Sequence, residues 1–263
     1  MTAKGKWAII TGASSGIGKA LAFELARNDF NLFLTARNEI ALQEIAEECG
    51  SQFDVETEIF RADLADSDST EKLIEAIANR RFDVLVNNAG FGVKGDFAAT
   101  DLGEELTMLD VQIAALIKLT KAVLPKMIER KAGKILSVAS VYSFAPVPKQ
   151  AVYSASKSFI LNFSSALHNE LKNSGVSVTV LCPGITQTEF RTRAGIADKK
   201  DAGMTARAVA EIAFREMMRG KHVVVPGLQN KVFAVLATHL PAEFFTSVVN
   251  FINRRRGVNK QRE

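Results

Sequence analysis

Short apolar runs alternate with stretches of helical periodicity along the N-terminal third of the chain. Trp7 to Thr11 is an apolar run that Gly12 ends, and apolar residues then recur at helical spacing from Ile17 to Asn28. This order predicts a strand, a glycine turn and a helix. The alternation continues, with strands predicted at 31–35, 55–61 and 83–87 and helices at 40–49 and 69–79.

Longer helices are predicted in the remainder of the chain. Helical periodicity runs over 104–130, where Pro125 is expected to kink or break the helix, and again over 151–173. Strands are predicted at 134–138, 176–182 and 222–225, and one more helix at 206–219. Repeated β-α-β units with right-handed crossovers predict an α/β fold, a three-layer Rossmann-type doubly wound parallel sheet.

The composition predicts one domain over residues 1–263. No linker-like stretch or repeat divides the chain, so the core is expected at about 6–226. Residues 186–201 are highly charged and lack periodicity, which predicts a substrate loop over the active site. A helical extension is predicted at 228–263.

Two apolar stripes, separated by Pro241, lie in this extension. They comprise Val232, Val235, Leu236 and Leu240, then Phe244, Phe245, Val248, Val249, Phe251 and Ile252. Three interpretations stay open: packing on the domain or on a partner subunit, a wall of an apolar substrate pocket, or contact with a membrane surface, where Arg254 to Arg256 would meet anionic lipid.

Charge and cysteine content exclude several classes of function. The net charge is only +4 and is concentrated in the C-terminal tail, without the interleaved aromatic residues of a nucleic-acid platform, so no nucleic acid is expected. The two cysteines and three histidines have no metal-ligand spacing, so no metal is expected. With no signal peptide and no run of membrane-spanning length, a cytoplasmic protein is expected.

Candidate ligand-binding residues follow the predicted strands. In parallel sheets of this kind, ligands bind at the carboxyl ends of the strands. Polar or glycine-containing segments stand at six such ends, and their common position predicts one shared site. They are Thr11-Gly12, Arg37, Asp63, Asn88, Ser140 and Pro183-Gly184.

The first of these segments has the composition of a phosphate-binding loop. Glycines in T-G-A-S-S-G-I-G let the backbone approach a pyrophosphate, and the N-terminus of the following helix favours its charge. Arg37 stands where NAD enzymes usually place an acidic residue, which predicts NADP(H) with Arg37 on the 2′-phosphate; a plain surface arginine is the alternative. The predicted dinucleotide contacts are Gly12, Ser14, Ser15, Gly16, Ile17, Gly18, Arg37, Asp63, Leu64, Asn88, Ala89 and Gly90, while Asn87 is expected to be mainly structural.

Tyr153 and Lys157 are four residues apart in a predicted helix, so their side chains share a face. A free tyrosine has a pKa near 10, and a neighbouring cation lowers it toward the range of useful acid–base chemistry. Y-x-x-x-K alone also occurs on ordinary solvated helices. Ser140 upstream and the glycine loop strengthen the catalytic interpretation.

Taken together, T-G-A-S-S-G-I-G, N-N-A-G, Ser140, Y-S-A-S-K and P-G-I-T-Q-T resemble the short-chain dehydrogenase/reductase superfamily over about residues 6–226. The resemblance implies that Tyr153 is the general acid of carbonyl reduction, that Lys157 holds the nicotinamide ribose and lowers the pKa of the tyrosine, and that Ser140 binds the substrate carbonyl. Pro183, Gly184 and Ile185 would line the nicotinamide, with Thr188 near the phosphates.

One segment departs from the family pattern. Where the family often has D-V-N, with an asparagine that supports a proton-relay water, this chain has Asp110-Val111-Gln112. Gln112 would serve the relay in a shifted geometry or not at all, and Val111 is placed among the cofactor contacts. The resemblance further implies a homodimer or homotetramer.

The sequence therefore predicts an NADP(H)-dependent oxidoreductase that transfers hydride between the nicotinamide and a carbonyl or secondary alcohol. Similarity of the C-terminal part to a branch of the family implies an apolar substrate. A non-catalytic NADP(H)-binding sensor with the same fold is the alternative.

Overall fold

The computed structural model describes residues 3–188, 190 and 203–241, and within them a parallel seven-stranded sheet. Its strand order is β3-β2-β1-β4-β5-β6-β9. The first three strands are therefore added on one side of β1 and the later strands on its other side, starting with β4. Two further strands, β7 and β8, form a small parallel sheet of their own. The strands are β1 Lys6–Thr11, β2 Phe30–Ala36, β3 Thr57–Arg61, β4 Val84–Asn87, β5 Gly133–Val138, β6 Val176–Leu181, β7 Thr186–Gln187, β8 Met204–Thr205 and β9 Val223–Val224.

Eight α-helices connect and follow these strands in the described part of the chain. They are α1 Gly16–Arg27, α2 Glu39–Phe53, α3 Ser67–Ala78, α4 Leu102–Leu109, α5 Ala115–Glu129, α6 Ala151–Glu170, α7 Ala206–Met218 and α8 Leu228–His239. A π-helical turn, Asp110–Ala114, joins α4 to α5, and a 3₁₀ turn, Val141–Phe144, follows β5.

Both faces of the sheet are covered, which confirms the predicted three-layer α/β fold. Along β1, Ala8 and Ile10 pack into a core shared with α1, α2 and α7. Ile9 between them faces a second core, formed with α3, α5 and the end of α6. Because successive side chains of a strand point to opposite faces, a continuous apolar run fits a sheet that is buried on both sides.

The long helix predicted over 104–130 is interrupted, but not at Pro125. Pro125 lies inside α5, where Leu119, Val123 and Met127 are buried in the core on neighbouring turns and keep the helix in place. The interruption is the π-helical turn, whose buried member is Gln112. The prediction of a break at proline was therefore wrong, because tertiary packing holds α5 across it.

The predicted substrate loop begins in regular structure. Thr186 and Gln187 pair in parallel with Met204 and Thr205, so the first two residues of the 186–201 segment are a strand rather than loop. Residue 189 and residues 191–202 lie outside the described part. The small sheet thus brings residues 186 and 187 next to residues 204 and 205, which follow the predicted segment.

The C-terminal extension starts with α8, as predicted, but of the predicted stripe on this helix only Leu240 packs on the domain. Phe233, Ala237 and Leu240 contact Ala145 after the 3₁₀ turn, whereas Val232, Val235 and Leu236 of the predicted stripe are exposed. The second predicted stripe, 244–252, and Arg254 to Arg256 lie outside the described residues.

Candidate active site

The glycine loop between β1 and α1 lies against the end of β4. A Cβ atom on Gly12 would stand 2.9 Å from the Cα of Ala89, and the φ of Gly12 is +63°. A Cβ atom on Gly18 would collide with the carbonyl group of Gly12. Only glycine fits at both positions, so the loop packs closely against the end of β4 and against itself.

Thr11 and Asn88 fasten this loop to the strand beside it. The Thr11 hydroxyl accepts hydrogen bonds from the backbone N–H groups of Asn88 and Ala89, both at 3.0 Å. The Asn88 amide nitrogen donates to the carbonyl oxygens of Thr11, at 2.9 Å, and Gly12, at 3.2 Å. The Asn88 side chain therefore holds the glycine loop in place. The sequence analysis predicted only that Asn88 contacts the cofactor, and did not predict this structural role.

Helix α1 begins without a side-chain cap, whereas several other helices have one. The N-cap side chains of α2, α3, α4 and α7 accept a backbone N–H, whereas Ser15 at the start of α1 does not. The first turn of α1 carries no acidic residue. Its N–H groups and positive dipole end are thus available to an anion, as a pyrophosphate requires.

Thr188, which follows β7, lies against the same loop. A Cβ atom on Gly16, whose φ is +56°, would stand 3.1 Å from the methyl carbon of Thr188. The structure thus brings Thr188 to the phosphate loop, together with the neighbouring Ser14, Ser15 and Ile17. Gly16 and Thr188 are far apart in the sequence, so their contact could be expected only from the family resemblance.

A second arginine lies beside Arg37. Arg37 follows β2, and Ala36 pairs in register with Arg61 at the end of β3. The Arg61 Nε donates to the carbonyl oxygen of Arg37 at 3.3 Å, and both side chains are exposed. Two guanidinium groups therefore stand at this strand edge, where the sequence analysis named one; strand register was the signal that could have found Arg61.

The remaining predicted dinucleotide contacts lie along the ends of β3 and β4. The Asp63 carboxylate accepts the backbone N–H of Ala65 at 3.0 Å, and Leu64 is nearly buried. Gly90 leaves room for Gln112, because a Cβ atom there would stand 3.1 Å from the Gln112 Cγ. Ala89 and Val111 pack into the core beneath this edge.

Ser140 and Tyr153 meet at the end of β5. Ser140 is the N-cap of the 3₁₀ turn, where its hydroxyl accepts the backbone N–H of Tyr142 at 3.2 Å. The Ser140 hydroxyl also lies near the Tyr153 phenol and lowers its pKa, but burial raises that pKa by more. The structure thus joins a predicted pair that stands thirteen positions apart in the sequence.

Lys157 lies one turn further along α6, with Nζ 5.7 Å from the centre of the Tyr153 ring. Its Nζ donates to the carbonyl oxygen of Val138 at 3.1 Å. Ser143 supports the arrangement, because its hydroxyl donates to the carbonyl oxygen of Lys157 at 2.8 Å and accepts the backbone N–H of Ser140 at 3.3 Å. Ser140, Tyr153 and Lys157 are therefore held as one unit.

Burial dominates the electrostatics of this unit. Burial raises the pKa of the Tyr153 phenol and lowers the pKa of the Lys157 ammonium to about 7. The lowering of the tyrosine pKa comes from Ser140, not from Lys157 as the resemblance implies, and burial outweighs it because desolvation penalises the charged form. Cys182 adds a buried neutral thiol beside Lys157, with a pKa raised to about 12 by burial.

Gln112 points into the site from the π-helical turn. Its Nε2 donates to the carbonyl oxygen of Phe91 at 2.7 Å, and the side chain is buried. The glutamine thereby holds the segment that follows Gly90.

The Pro183-Gly184-Ile185 turn is tied to both the 3₁₀ turn and α8. The Pro183 carbonyl oxygen accepts the backbone N–H of Val141 at 3.0 Å. A Cβ atom on Gly184 would collide with the side chain of Asn230, which itself donates to the carbonyl oxygen of Pro226 at 2.6 Å. Helix α8 therefore packs directly on this turn, which sequence reasoning did not reveal.

An apolar wall surrounds the Tyr153 ring. The ring of Tyr142 stands edge-on at 6.4 Å and that of Phe190 tilted at 5.8 Å, centre to centre. Val93 and Met108 complete the cluster, and Gly92 leaves space for the Phe190 ring. None of these residues belongs to a motif, so the sequence analysis did not single them out.

Comparison with known proteins identifies the family. The short chain dehydrogenase family profile matches residues 6–199, so the chain belongs to that family. It is 34% identical over 190 residues to the very-long-chain 3-oxoacyl-CoA reductase of Homo sapiens, covering 71% of this chain and 61% of that protein. The chain thus spans about three fifths of the length of that relative.

Two further relatives agree with this assignment. Sulfoacetaldehyde reductase 2 of Chromohalobacter salexigens is 40% identical over 186 residues, covering 69% of this chain and 73% of that protein. A short-chain dehydrogenase from Sphingobium yanoikuyae, solved in complex with NADPH, superposes with a TM-score of 0.82 at 28% identity, covering 98% and 97% of the two chains. In the described part of this chain, no helix has the length and apolarity needed to cross a membrane.

Proposed function

We propose that the protein is an NADP(H)-dependent oxidoreductase that interconverts a carbonyl compound and its secondary alcohol. The observation that carries this proposal is the single unit formed by Ser140, Tyr153 and Lys157 at the carboxyl edge of the sheet. It stands beside an uncapped helix and a glycine loop from which side chains are excluded. The reductases among its relatives support the same reaction class.

In the direction of reduction, Tyr153 is the proton donor. The Ser140 hydroxyl binds the substrate carbonyl oxygen and stabilises the negative charge that develops on it. The Tyr153 phenol gives its proton to that oxygen, and the phenolate left behind is stabilised by the Ser140 hydroxyl and the Lys157 ammonium. In oxidation the phenolate takes the proton from the alcohol.

The residues present fit NADP(H). The free N–H groups of α1 and the Gly12–Gly18 loop accommodate the pyrophosphate, and Arg37 with Arg61 offers two cations to a 2′-phosphate. The Lys157 side chain would hold the ribose, and the Pro183-Gly184-Ile185 turn would line the ring. When bound, the nicotinamide supplies or accepts the hydride.

We place the substrate among apolar carbonyl compounds. The Tyr142, Phe190, Val93 and Met108 side chains around Tyr153 offer contact to carbon rather than to charge. The named substrates of the relatives differ: a very-long-chain 3-oxoacyl-CoA and sulfoacetaldehyde. A solved neighbour from Comamonas testosteroni, 25% identical with a TM-score of 0.76, is described as specific for bulky-bulky ketones.

A spectrophotometric screen of NADPH consumption tests the proposal. The panel consists of ketones and aldehydes graded by chain length and ring size, with sulfoacetaldehyde as the charged member. We expect kcat/KM to rise with apolar size. No turnover on any member, with NADPH bound tightly, would instead support the non-catalytic sensor.

We propose further that the protein is a cytoplasmic homodimer or homotetramer. Helices α4, α5 and α6 carry exposed apolar side chains, and Phe159, 37% exposed, stacks on Phe163 at 6.0 Å. Cys49 and Cys182 are both free and buried, as suits a reducing compartment. Sedimentation equilibrium and cell fractionation test the two statements; a monomer at micromolar concentration or a membrane-pellet location would contradict them.

A further inference from the structure

A small, partly open cavity lies beneath the cofactor edge, between the ends of the central strands and the π-helical turn. Its volume is about 10 Å³, close to the space that one water molecule needs. Most of its wall is apolar. The polar groups in the wall come from three residues: Thr11, Asn87 and Gln112.

Two of these residues each have an amide oxygen with no hydrogen-bond partner among the described residues. They are Asn87 Oδ1 and Gln112 Oε1, and both are buried. The nitrogen of each amide is already engaged: Asn87 Nδ2 donates to the Thr120 hydroxyl at 3.1 Å, and Gln112 Nε2 donates to the Phe91 carbonyl oxygen at 2.7 Å. Since a carbonyl oxygen only accepts, the Gln112 amide is fixed with its oxygen free.

We propose that one buried water molecule occupies this cavity and donates its two hydrogens to Asn87 Oδ1 and Gln112 Oε1. A water molecule has two O–H donors, and the cavity presents two acceptors that lack a donor, so the numbers match. Buried polar atoms in folded proteins are almost always satisfied in this way. The water links the end of β4 to the π-helical turn.

This water makes Gln112 a positioning residue rather than a carrier of protons. One end of its amide holds the Phe91 carbonyl, and the other end is held by the water. Gly90 packs on the glutamine stem, so the chain from Gly90 to Phe91 is fixed where it borders the cofactor edge. Glutamine thus has the reach to satisfy both contacts at once.

A crystal structure of the protein with NADP⁺ tests the water directly. We expect an ordered peak within about 3.2 Å of both Asn87 Oδ1 and Gln112 Oε1. A dry cavity in well-resolved density, or a direct contact between the two amides, would overturn the proposal.

A double-mutant cycle tests the link in solution. In wild-type protein, Gln112→Met and Asn87→Leu should each lower Tm. If both substitutions act on one water, their effects should not add. The fall in Tm caused by Asn87→Leu in Gln112→Met protein should then be less than about half of the fall that it causes in wild-type protein. The control pair is Gln112→Met with Thr179→Val, a buried site on β6 outside the cavity wall, whose effects should add. Additive effects for Asn87 and Gln112 would contradict the shared water.

The pH profile separates positioning from proton relay. Gln112→Met should raise the Kd for NADPH and leave the shape of the kcat–pH profile unchanged. A profile that loses or shifts a limb would show that the amide takes part in proton transfer, and would refute the positioning role. If Gln112→Met does not fold, the crystal structure still decides whether the water is present.

Discussion

Lys157 Nζ lies 3.1 Å from the carbonyl oxygen of Val138, so a side chain of α6 is fastened to the end of β5. The bond places a cation within 5.7 Å of the Tyr153 ring, inside a region that excludes water. Stability and catalysis therefore depend on the same buried amine. Its protonation state should affect both the free energy of unfolding and the reaction rate.

Lys157→Met should change stability in a pH-dependent way. The folded pKa of Lys157 is about 7 and the ordinary value is 10.5, so between these values the unfolded chain binds the proton and the folded one does not. Lys157 therefore destabilises the ligand-free protein most below pH 7, and this cost falls as the pH rises toward 10. Relative to wild type, the variant should be most favourable near pH 6 and lose that advantage by pH 10.

Urea unfolding of the ligand-free protein at several pH values measures this difference. Lys172→Met, at an exposed site, is the matched control and should differ from wild type by a constant amount. A Lys157→Met difference that is equally constant would show that the amine is not desolvated.

Tyr153→Phe should lower kcat by about 10²- to 10⁴-fold, because the proton donor is lost while the ring and its packing remain. The Kd for NADPH, measured by fluorescence titration, should change little. Tyr142→Phe removes the protein's other phenol, and kcat should then fall by less than about tenfold. Equal decreases of kcat in the two variants would show that Tyr153 is not the proton donor.

Arg37→Asp should shift cofactor preference toward NADH. Loss of a charge-assisted hydrogen bond and gain of a repulsive carboxylate should lower kcat/KM for NADPH by about 10- to 100-fold or more. Arg61→Gln should produce a smaller shift in the same direction, and Arg207→Gln, an exposed site on α7, none. An unchanged NADPH/NADH ratio in Arg37→Asp would contradict the 2′-phosphate assignment.

Gly18→Ala and Gly50→Ala should have opposite effects, although both glycines are helical. A Cβ atom on Gly18 collides with the Gly12 carbonyl group, so Tm should fall and the Kd for NADPH should rise at least about tenfold. A Cβ atom on Gly50 would stand 3.5 Å or more from its neighbours, so alanine there should stabilise α2 by about 0.5–1 kcal/mol. Calorimetry with NADPH titration checks both; a stable, cofactor-binding Gly18→Ala protein would mean that the loop can move.

Most of the fold could be predicted from the sequence because burial leaves a periodic trace. Continuous apolar runs such as Trp7 to Thr11 fit strands covered on both faces, and helical spacing fits the helices between them. The glycine loop and the Tyr153–Lys157 pair were also readable, since each depends on residues close together in the chain. These local features locate the site and name its reaction class.

Other features depend on contacts between distant segments, and only the tertiary structure decided them. Arg61 reaches Arg37 through strand register, and the π-helical turn brings Gln112 to Phe91 and to the cavity that Asn87 also lines. The pKa of Lys157 follows from burial by several elements, which spacing along one helix does not report. The sequence determined which groups are present and roughly where. The tertiary structure determined their solvation and their partners, because these belong to the assembled core rather than to any one segment.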